Sequence, residues 1–350
     1  MPKRPARVIH LLGGLRAIDL RDDSISIVLE DHSELCRFPA PEYPALYNSL
    51  GKLGLQPVGV EFLQSVKFVD WNFFSVETGF LCQFEGREWS KVRHAAIQRG
   101  DRTTASLASK ILCYIELANL RVQELASAYS KTLWASWRGE LKTGHLHSNT
   151  FIRRIDGAIH ASVADLAALR DALSEFIWKC ILGGGAEVTR YSSFLKKGEA
   201  SDNRLASEWI AAGAQGQWLG SFSNLRNDII HAAPIGHQGA FHNFEMREVA
   251  LNDKVRVPSA HFPILSSSGD VWKPEKEEAE FLSESDESLI RRELEAYRNY
   301  LNASQDALQY IHLVVEKMVG FAKQARTESG LEGEMLHITD QDIVGEVEIR

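Results

Sequence analysis

The chain has 350 residues, of which 44% are apolar and 25% are charged, the balance of a globular protein with a sizeable core. A net charge of -8 argues against binding nucleic acid through a broad basic surface, but it allows positive charge gathered in one cleft. Four widely spaced cysteines without a C-x-x-C pair indicate reduced thiols and no structural zinc, so we expect a cytoplasmic protein. We expect no membrane span, because no uncharged apolar run reaches about 18 residues, and no signal peptide, because Arg16 and Asp19 interrupt the N-terminal apolar run.

The first 100 residues predict a small, strand-rich α+β domain. Residues 24–39 alternate apolar and polar side chains on either side of a polar segment, 30–33, which predicts a hairpin. Residues 43–53 predict a short helix. Residues 58–86 are rich in Val, Phe and Trp with interspersed Gly, a composition that favours strands.

From about residue 101 the pattern becomes helical. Residues 103–142 contain no Pro and a single Gly, and their apolar side chains fall near one helical face, which predicts one long helix or two in series. Residues 150–182 predict a second helix that ends at three glycines, and residues 203–233 predict a third that ends before Pro234. The apolar positions of the first helix are Leu107, Ile111, Tyr114, Ala118, Leu125 and Tyr129, and those of the third are Trp218, Phe222, Leu225 and Ile229.

Beyond the third helix the chain changes character twice. Residues 235–282 carry short alternating runs on either side of a polar turn, which predict a β-rich insertion in the helical domain. Residues 288–325 predict a long final helix with an apolar heptad row that forms either a bundle seam or part of a dimer face. The row is Leu294, Leu301, Leu308 and Val315. The chain is thus predicted to be mainly α, with a strand-rich α+β domain at 1–100, a helical bundle at 101–330 and an acidic tail at 331–350.

One Arg–His pair near the end of the third predicted helix is a candidate site. Seven pairs fit the spacing of Arg, four to six residues, His, and with 12 His in the chain such pairs arise by chance. Arg226 and His231 differ from the rest because Asn227 follows the Arg, an apolar-striped helix ends at the pair, and long helical segments flank it. The other pairs are Arg4/His10, Arg87/His94, Arg138/His145, Arg153/His160, Arg154/His160 and Arg256/His261.

Arg226 and His231 are suited to cleaving RNA without a metal ion. RNA carries its own nucleophile, the 2′-OH, whose attack on the adjacent phosphate needs only a proton-transfer group and a cation. His231 titrates near neutral pH, and the guanidinium of Arg226 matches phosphate oxygens. Asn227 lies about one turn before His231 and can hydrogen-bond the imidazole or the ribose. On an ideal helix Arg226 and His231 are about 140° apart, so we expect a frayed last turn, or a second copy of the motif, to complete the site.

With these residues the chain resembles the HEPN superfamily, all-helical domains common in prokaryotic defence and toxin systems. Active members carry Arg, four to six residues, His, often with a polar Asn, Asp or His directly after the Arg, and Arg226, Asn227 and His231 match those positions. The resemblance covers residues 101–325, and the β-rich insertion departs from a minimal four-helix domain. It implies a metal-independent endoribonuclease with a composite site in a homodimer, acting on tRNA or other cellular RNA. It also implies inhibition by a regulatory protein or antitoxin partner or by a sensing domain, for which residues 1–100 are the candidate.

Further residues are candidates for contacts with RNA. Lys196 and Lys197, beside Arg190, form the best local basic patch for backbone phosphates, and His237 follows the motif. The three histidines between residues 145 and 160 have no Cys or carboxylate at ligand spacing, so we expect no metal and no cofactor.

The main alternative is a protein without catalytic activity. In that interpretation Arg226 pairs with a carboxylate and His231 caps the helix end. The helical domain is then a scaffold, or a subunit of a multi-protein complex that senses a ligand through its N-terminal domain.

Overall fold

An antiparallel sheet and a set of packed helices make up the fold, so the predicted mainly α class with a strand-rich N-terminal region is confirmed. The computed structural model describes residues 6–20, 24–39, 45–65, 68–147, 149–198, 201–229, 244–251, 255–266 and 287–331. The helices after the sheet are α2 Leu81–Gln98, α3 Arg102–Arg138, α4 Ile152–Phe176, α5 Tyr191–Gly198, α6 Arg204–Ala212, α7 Trp218–Asn227, α8 Glu287–Ala303 and α9 Ala307–Glu328. No helix in these ranges is long and apolar enough to cross a membrane.

The N-terminal sheet has six antiparallel strands in the order β4-β3-β2-β1-β5-β6. The strands are β1 Ala6–Leu11, β2 Arg16–Leu20, β3 Ser24–Val28, β4 Glu34–Pro39, β5 Pro57–Ser65 and β6 Phe68–Phe73. The predicted hairpin is confirmed, since β3 pairs with β4 and places Ile27 opposite Cys36. The predicted short helix is also confirmed as α1, Ala45–Lys52.

The strand prediction for residues 58–86 is wrong at its C-terminal end. Strand β6 ends at Phe73, and helix α2 begins at Leu81. Its buried residues Cys82, Trp89 and Val92 recur at helical spacing and lie on the side that packs along α3. Although α2 precedes the predicted domain boundary near residue 100, it therefore packs with the helices that follow. The division into domains stays a prediction.

Helices α2, α3, α4 and α9 pack together as a bundle. Helix α3 is one continuous helix of 37 residues, and the side chain of Asp101 caps it by accepting a hydrogen bond from Thr104 N at 3.0 Å. The apolar face predicted for α3 is buried, apart from the partly buried Tyr114. The second predicted helix is confirmed as α4, which continues as a π-type turn, Ile177–Ile181, before the three glycines.

The third predicted helix is divided into α6 and α7. Asn203 caps α6 by accepting a hydrogen bond from Ala206 N at 3.0 Å, and α6 ends at Ala212. Gly216 has a φ of +77°, a left-handed conformation that interrupts a helix. The predicted apolar row of α7 is nevertheless buried, with the partly exposed Trp218 at its start.

The predicted final helix is also divided in two. Asp306 begins α9 as its N-cap, since the carboxylate accepts a hydrogen bond from Gln309 N at 3.1 Å. The same carboxylate accepts hydrogen bonds from Tyr129 Oη at 2.9 Å and Phe262 N at 3.0 Å, and His261 Nε2 lies 3.2 Å from Ser304 Oγ. We call Tyr129, His261, Ser304 and Asp306 the capping cluster.

Three residues of the heptad row of the predicted final helix are buried inside the molecule. Leu301, Leu308 and Val315 are at most 2% exposed and belong to the chain's own core. Leu308 and Val315 lie on α9 and form part of the seam of the helical bundle. Leu301 lies on α8 and is buried within the same chain, so the alternative of a dimer face is wrong for all three residues.

The predicted β-rich insertion contains a hairpin. Strands β8 Phe244–Ala250 and β9 Arg256–His261 pair antiparallel, and β8 also pairs with the short β7, Leu146–His147. Strand β10, Pro263–Leu265, pairs with β11, Gln305–Asp306, beside the capping cluster. The rest of the predicted insertion and nearly all of the acidic tail lie outside the described residues.

Candidate active site: an arginine-lined cleft

A cleft of about 620 Å³ lies between the end of α4, the start of α5 and the end of α7. We call it the arginine cleft, because its charged lining residues are three arginines and one aspartate. Three positive charges against one negative charge give a net charge of +2, in a chain whose net charge is -8. A volume of this size is ordinary for a small-molecule site, for which about 300–1,000 Å³ is typical. The charged residues are Arg170, Asp171, Arg190 and Arg226.

Two of the predicted catalytic residues line this cleft. Arg226 is partly buried in the last turn of α7, and its Nη1 donates a hydrogen bond to Asn227 Oδ1 at 3.1 Å. Its Nε is buried and has no hydrogen-bond partner among the described residues. Nor does a carboxylate from the described part of the chain pair with Arg226. The ion pair required by the non-catalytic interpretation is thus not found within those residues.

The hydrogen-bonding pattern at the end of α7 departs from that of an α-helix. Asp228 and Ile229 continue the helix as a π-type turn, and Ile229 is buried. Hydrogen bonds between residues five apart define such a turn, which brings positions five apart closer to one side of the helix. Five residues is the spacing of Arg226 and His231. His231 and His237 themselves lie outside the described residues.

Arg170 is a cleft residue that the sequence analysis missed. It is 8% exposed, although it carries a guanidinium. Its Nε and Nη2 donate to Asp171 Oδ1 at 3.2 and 3.0 Å, and its Nη1 donates to Ser223 Oγ at 3.0 Å. The guanidinium carbon lies 5.1 Å from the ring centroid of Tyr191, a cation–π contact. The available signal was its place on the apolar face of α4, between Leu166 and Leu173, where a charged residue needs partners.

Helix α5 contributes its first turn to the cleft. Tyr191 N donates to Asp171 Oδ1 at 3.1 Å, which fixes α5 to the end of α4. Tyr191 Oη donates to Trp209 O at 3.2 Å, and a Cβ on Gly213 would lie 1.8 Å from this hydroxyl, so a larger residue at position 213 would displace it. Burial raises the pKa of Tyr191 to about 12, which keeps its hydroxyl neutral at physiological pH. Tyr191 therefore shapes the cleft as a neutral side chain.

Of the predicted RNA-binding residues in this region, one lines the cleft and two lie outside it. Arg190 is exposed and lines the cleft, and its guanidinium makes no hydrogen bond or ion pair with the residues that the structure describes. Lys196 and Lys197 are exposed near the end of α5 and do not line the cleft. Lys197 Nζ lies 3.6 Å from Glu187 Oε1. The structure thus brings Arg190 together with Arg226 and leaves the lysines outside.

The histidine-rich segment before α4 holds separate side chains. His147 Nε2 lies 2.8 Å from Lys142 O, and the rings of His145 and His147 are 6.4 Å apart. Within the ranges that the structure covers, no three His, Cys, Asp or Glu residues come together as metal ligands.

Comparison with protein-family models, with curated proteins and with solved structures gives no match for this chain. The resemblance to the HEPN superfamily therefore depends on the motif and its helical context alone. The function has to be inferred from the chemistry of the cleft.

Proposed function

We propose that the protein is a metal-independent endoribonuclease of a prokaryotic defence or toxin system, and that RNA is cleaved at the arginine cleft. Arg226, Asn227 and His231 are the proposed catalytic residues. One observation carries the proposal: Arg226 has a buried Nε without a hydrogen-bond partner among the described residues, and it lines a cleft with a net charge of +2. A cation held in this way is suited to an anionic ligand, and the cleft concentrates positive charge in an otherwise acidic chain.

The proposed reaction is an in-line transesterification. The 2′-OH oxygen of the ribose forms a bond to phosphorus, and the bond from phosphorus to the 5′ oxygen of the next nucleotide breaks. His231 takes the proton of the 2′-OH, and a proton returns to the leaving 5′ oxygen, so the products are a 2′,3′-cyclic phosphate and a 5′-OH. Arg226 stabilises the negative charge that develops on the phosphate oxygens. The hydrogen bond from Arg226 Nη1 to Asn227 fixes the guanidinium on α7.

The proposed site is composite and forms in a homodimer. A second His231 would supply the proton for the leaving group, and a second Arg226 would add positive charge around the phosphorane. Because isologous dimers are the commonest assembly, one two-fold axis suffices for this arrangement. Light scattering at micromolar concentration should give twice the monomer mass of 39.2 kDa. Mixed dimers of Arg226→Ala and His231→Ala subunits should recover part of the activity if one Arg226 and one His231 suffice. No recovery after demonstrated subunit exchange would point to a site built within each chain, or to one that needs all four side chains.

Incubation of the purified protein with total cellular RNA in EDTA tests the activity. We expect cleavage products with 2′,3′-cyclic phosphate and 5′-OH ends, identified by ligation and phosphatase sensitivity. Toxicity on expression in a bacterial host gives a second readout that does not require the substrate to be known. Activity that EDTA abolishes and Mg²⁺ or Mn²⁺ restores would contradict the proposed mechanism.

A further inference from the structure

We propose that the arginine cleft binds two consecutive phosphates of a single-stranded RNA, one at Arg226 and the next at Arg170 and Arg190. The inference rests on the proposed function, because it takes the phosphate at Arg226 to be the scissile one. It adds a second phosphate subsite, which α4 and α5 form and which the Arg226–His231 motif alone does not predict.

The charge of the cleft suits two phosphates. Each internal phosphodiester carries one negative charge, and the net charge of the cleft is +2. Asp171 already offsets part of the charge of Arg170, whereas Arg190 and Arg226 have no carboxylate partner among the residues that the structure describes. A single diester would leave one positive charge of the cleft without a counterpart.

Arg170 retains hydrogen-bonding capacity at the second subsite. A guanidinium has five N–H donors, and the bonds to Asp171 and Ser223 use three of them, which leaves two. Its position is fixed by these bonds and by the ring of Tyr191, so the two remaining donors are preorganised. The first turn of α5 lies at the same subsite, and the positive end of its helix dipole also favours an anion.

The other lining residues favour a backbone ligand over a stacked base. Tyr191, the aromatic residue among those that line the described cleft, is 3% exposed, and its ring is in contact with Arg170. Stacking of bases on aromatic rings is therefore not available there, although it is the usual means of holding single strands. Gln215, Asn224 and Asn227 instead offer amide groups to the ribose or to base edges. With about 620 Å³, the cleft accommodates a short single-stranded segment and not an RNA duplex.

Binding of a dinucleotide that cannot be cleaved tests the inference. The probe is 2′-O-methyl ApA, which lacks the nucleophile, with and without a 5′-phosphate, titrated calorimetrically into the full chain in EDTA. We expect the 5′-phosphate to lower the Kd about tenfold, because it adds charge-assisted hydrogen bonds at Arg170 and Arg190. Arg190→Ala should remove this gain, and it should raise the Kd of unphosphorylated ApA by a much smaller factor, because the phosphate of that probe lies at Arg226.

Arg204→Ala is the matched control. Arg204 lies on α6, is exposed and pairs with Glu208, so its loss changes the net charge equally without changing the cleft. This variant should keep the tenfold gain. Equal affinity for the two probes, no binding of either, or the same loss in Arg204→Ala as in Arg190→Ala would overturn the second subsite.

The two proposals fail in different ways. If the 5′-phosphate gain depends on Arg190 and the chain cleaves no RNA, the nuclease proposal fails and the phosphate subsite stands. If RNA is cleaved in EDTA and the 5′-phosphate brings no gain, the nuclease proposal stands and the second subsite is refuted.

Discussion

Two polar clusters of this molecule, each with buried members, use their side chains for different purposes. In the capping cluster the carboxylate of Asp306 accepts three hydrogen bonds, two from backbone N–H groups and one from Tyr129. In the arginine cleft the buried Arg170 keeps two N–H donors, and the Nε of Arg226 has no partner among the described residues. The carboxylate of the first cluster is thus satisfied by groups of the protein, whereas the second cluster retains hydrogen-bond donors beside a cavity.

The two clusters also differ in charge: the ionisable groups of the capping cluster tend towards their neutral forms, whereas the cleft is positively charged. Burial raises the pKa of Asp306 to about 6 and lowers the pKa of His261 to about 3, so both groups are shifted towards their neutral forms. The cleft instead has three arginines against one aspartate, which gives it a net charge of +2. Although Ser304, His261 and Asp306 follow the order of nucleophile, base and acid, a histidine with so low a pKa is a poor proton acceptor. We therefore assign a stabilising role to the capping cluster, and we propose ligand binding for the cleft alone.

The largest expected effect is a loss of RNA cleavage with little change in the stability of the fold. Arg226→Ala or His231→Ala should reduce RNA cleavage at least about 1,000-fold, because each removes a charge or proton-transfer group that acts in the transition state. The free energy of unfolding should change by no more than about 1 kcal/mol, the usual cost of a lost helix cap. Cleavage rates and urea denaturation of the same preparations measure the two quantities.

Arg154→Ala is the matched control for these variants. Arg154 is exposed at the start of α4 and has the same loose spacing to His160. It should retain full activity. If Arg226→Ala instead loses several kcal/mol of stability and little activity, the non-catalytic interpretation is the better one.

The opposite result is expected for the capping cluster. Asp306→Ala removes the N-cap of α9 and leaves the Tyr129 hydroxyl and Phe262 N–H buried without their acceptor. The combined loss should be about 3 kcal/mol or more in the free energy of unfolding. Asn203→Ala, which removes only the cap of α6, should cost about 1 kcal/mol. Equal losses in the two variants would show that the buried hydrogen bonds of Asp306 contribute little.

A comparison across pH sharpens the assignment of the capping cluster. Since the pKa of Asp306 is raised to about 6, its protonated form stabilises the fold below the ordinary value of 3.8, and this stabilisation is lost as pH rises through 6. Asp306→Asn imitates the protonated acid at every pH, so its stability relative to the native chain should increase between pH 4 and pH 6. The slope should reach at most about 1.4 kcal/mol per pH unit.

His261 responds to pH with the opposite sign. Its pKa is lowered to about 3, so its contribution is present above 6.5 and is lost as pH falls towards 3. Because both chains contain His261, its contribution cancels in the difference between them. Urea denaturation at pH 4, 5, 6 and 7 gives the difference directly, and a flat difference would mean that Asp306 titrates normally.

Local patterns predicted much of the fold, and a contact between distant residues accounts for the error in the predicted final helix. The hairpin β3–β4 and helices α3 and α4 follow from periodicity within a few turns of chain. The break before α9 does not, because Asp306 is held by a tyrosine 177 residues away in the sequence. The site divides in the same way: a local motif identified Arg226 and Asn227, whereas Arg170 has a partner, Ser223, that is 53 residues distant.

The smallest expected effect is a few-fold loss of RNA binding when the lysines beside the cleft are removed. Lys196 and Lys197 remain predictions as contacts for RNA, and the structure places them on α5 outside the cleft. The double variant Lys196→Ala, Lys197→Ala should weaken binding of a long single-stranded RNA only a few-fold at moderate salt. It should leave binding of the 5′-phosphorylated dinucleotide unchanged, because that ligand does not extend beyond the cleft. For two lost phosphate contacts, the slope of log K against log salt should fall by about 1.4. A slope that does not change would remove both lysines from the RNA-binding surface, whereas weaker dinucleotide binding would show that the second subsite extends along α5.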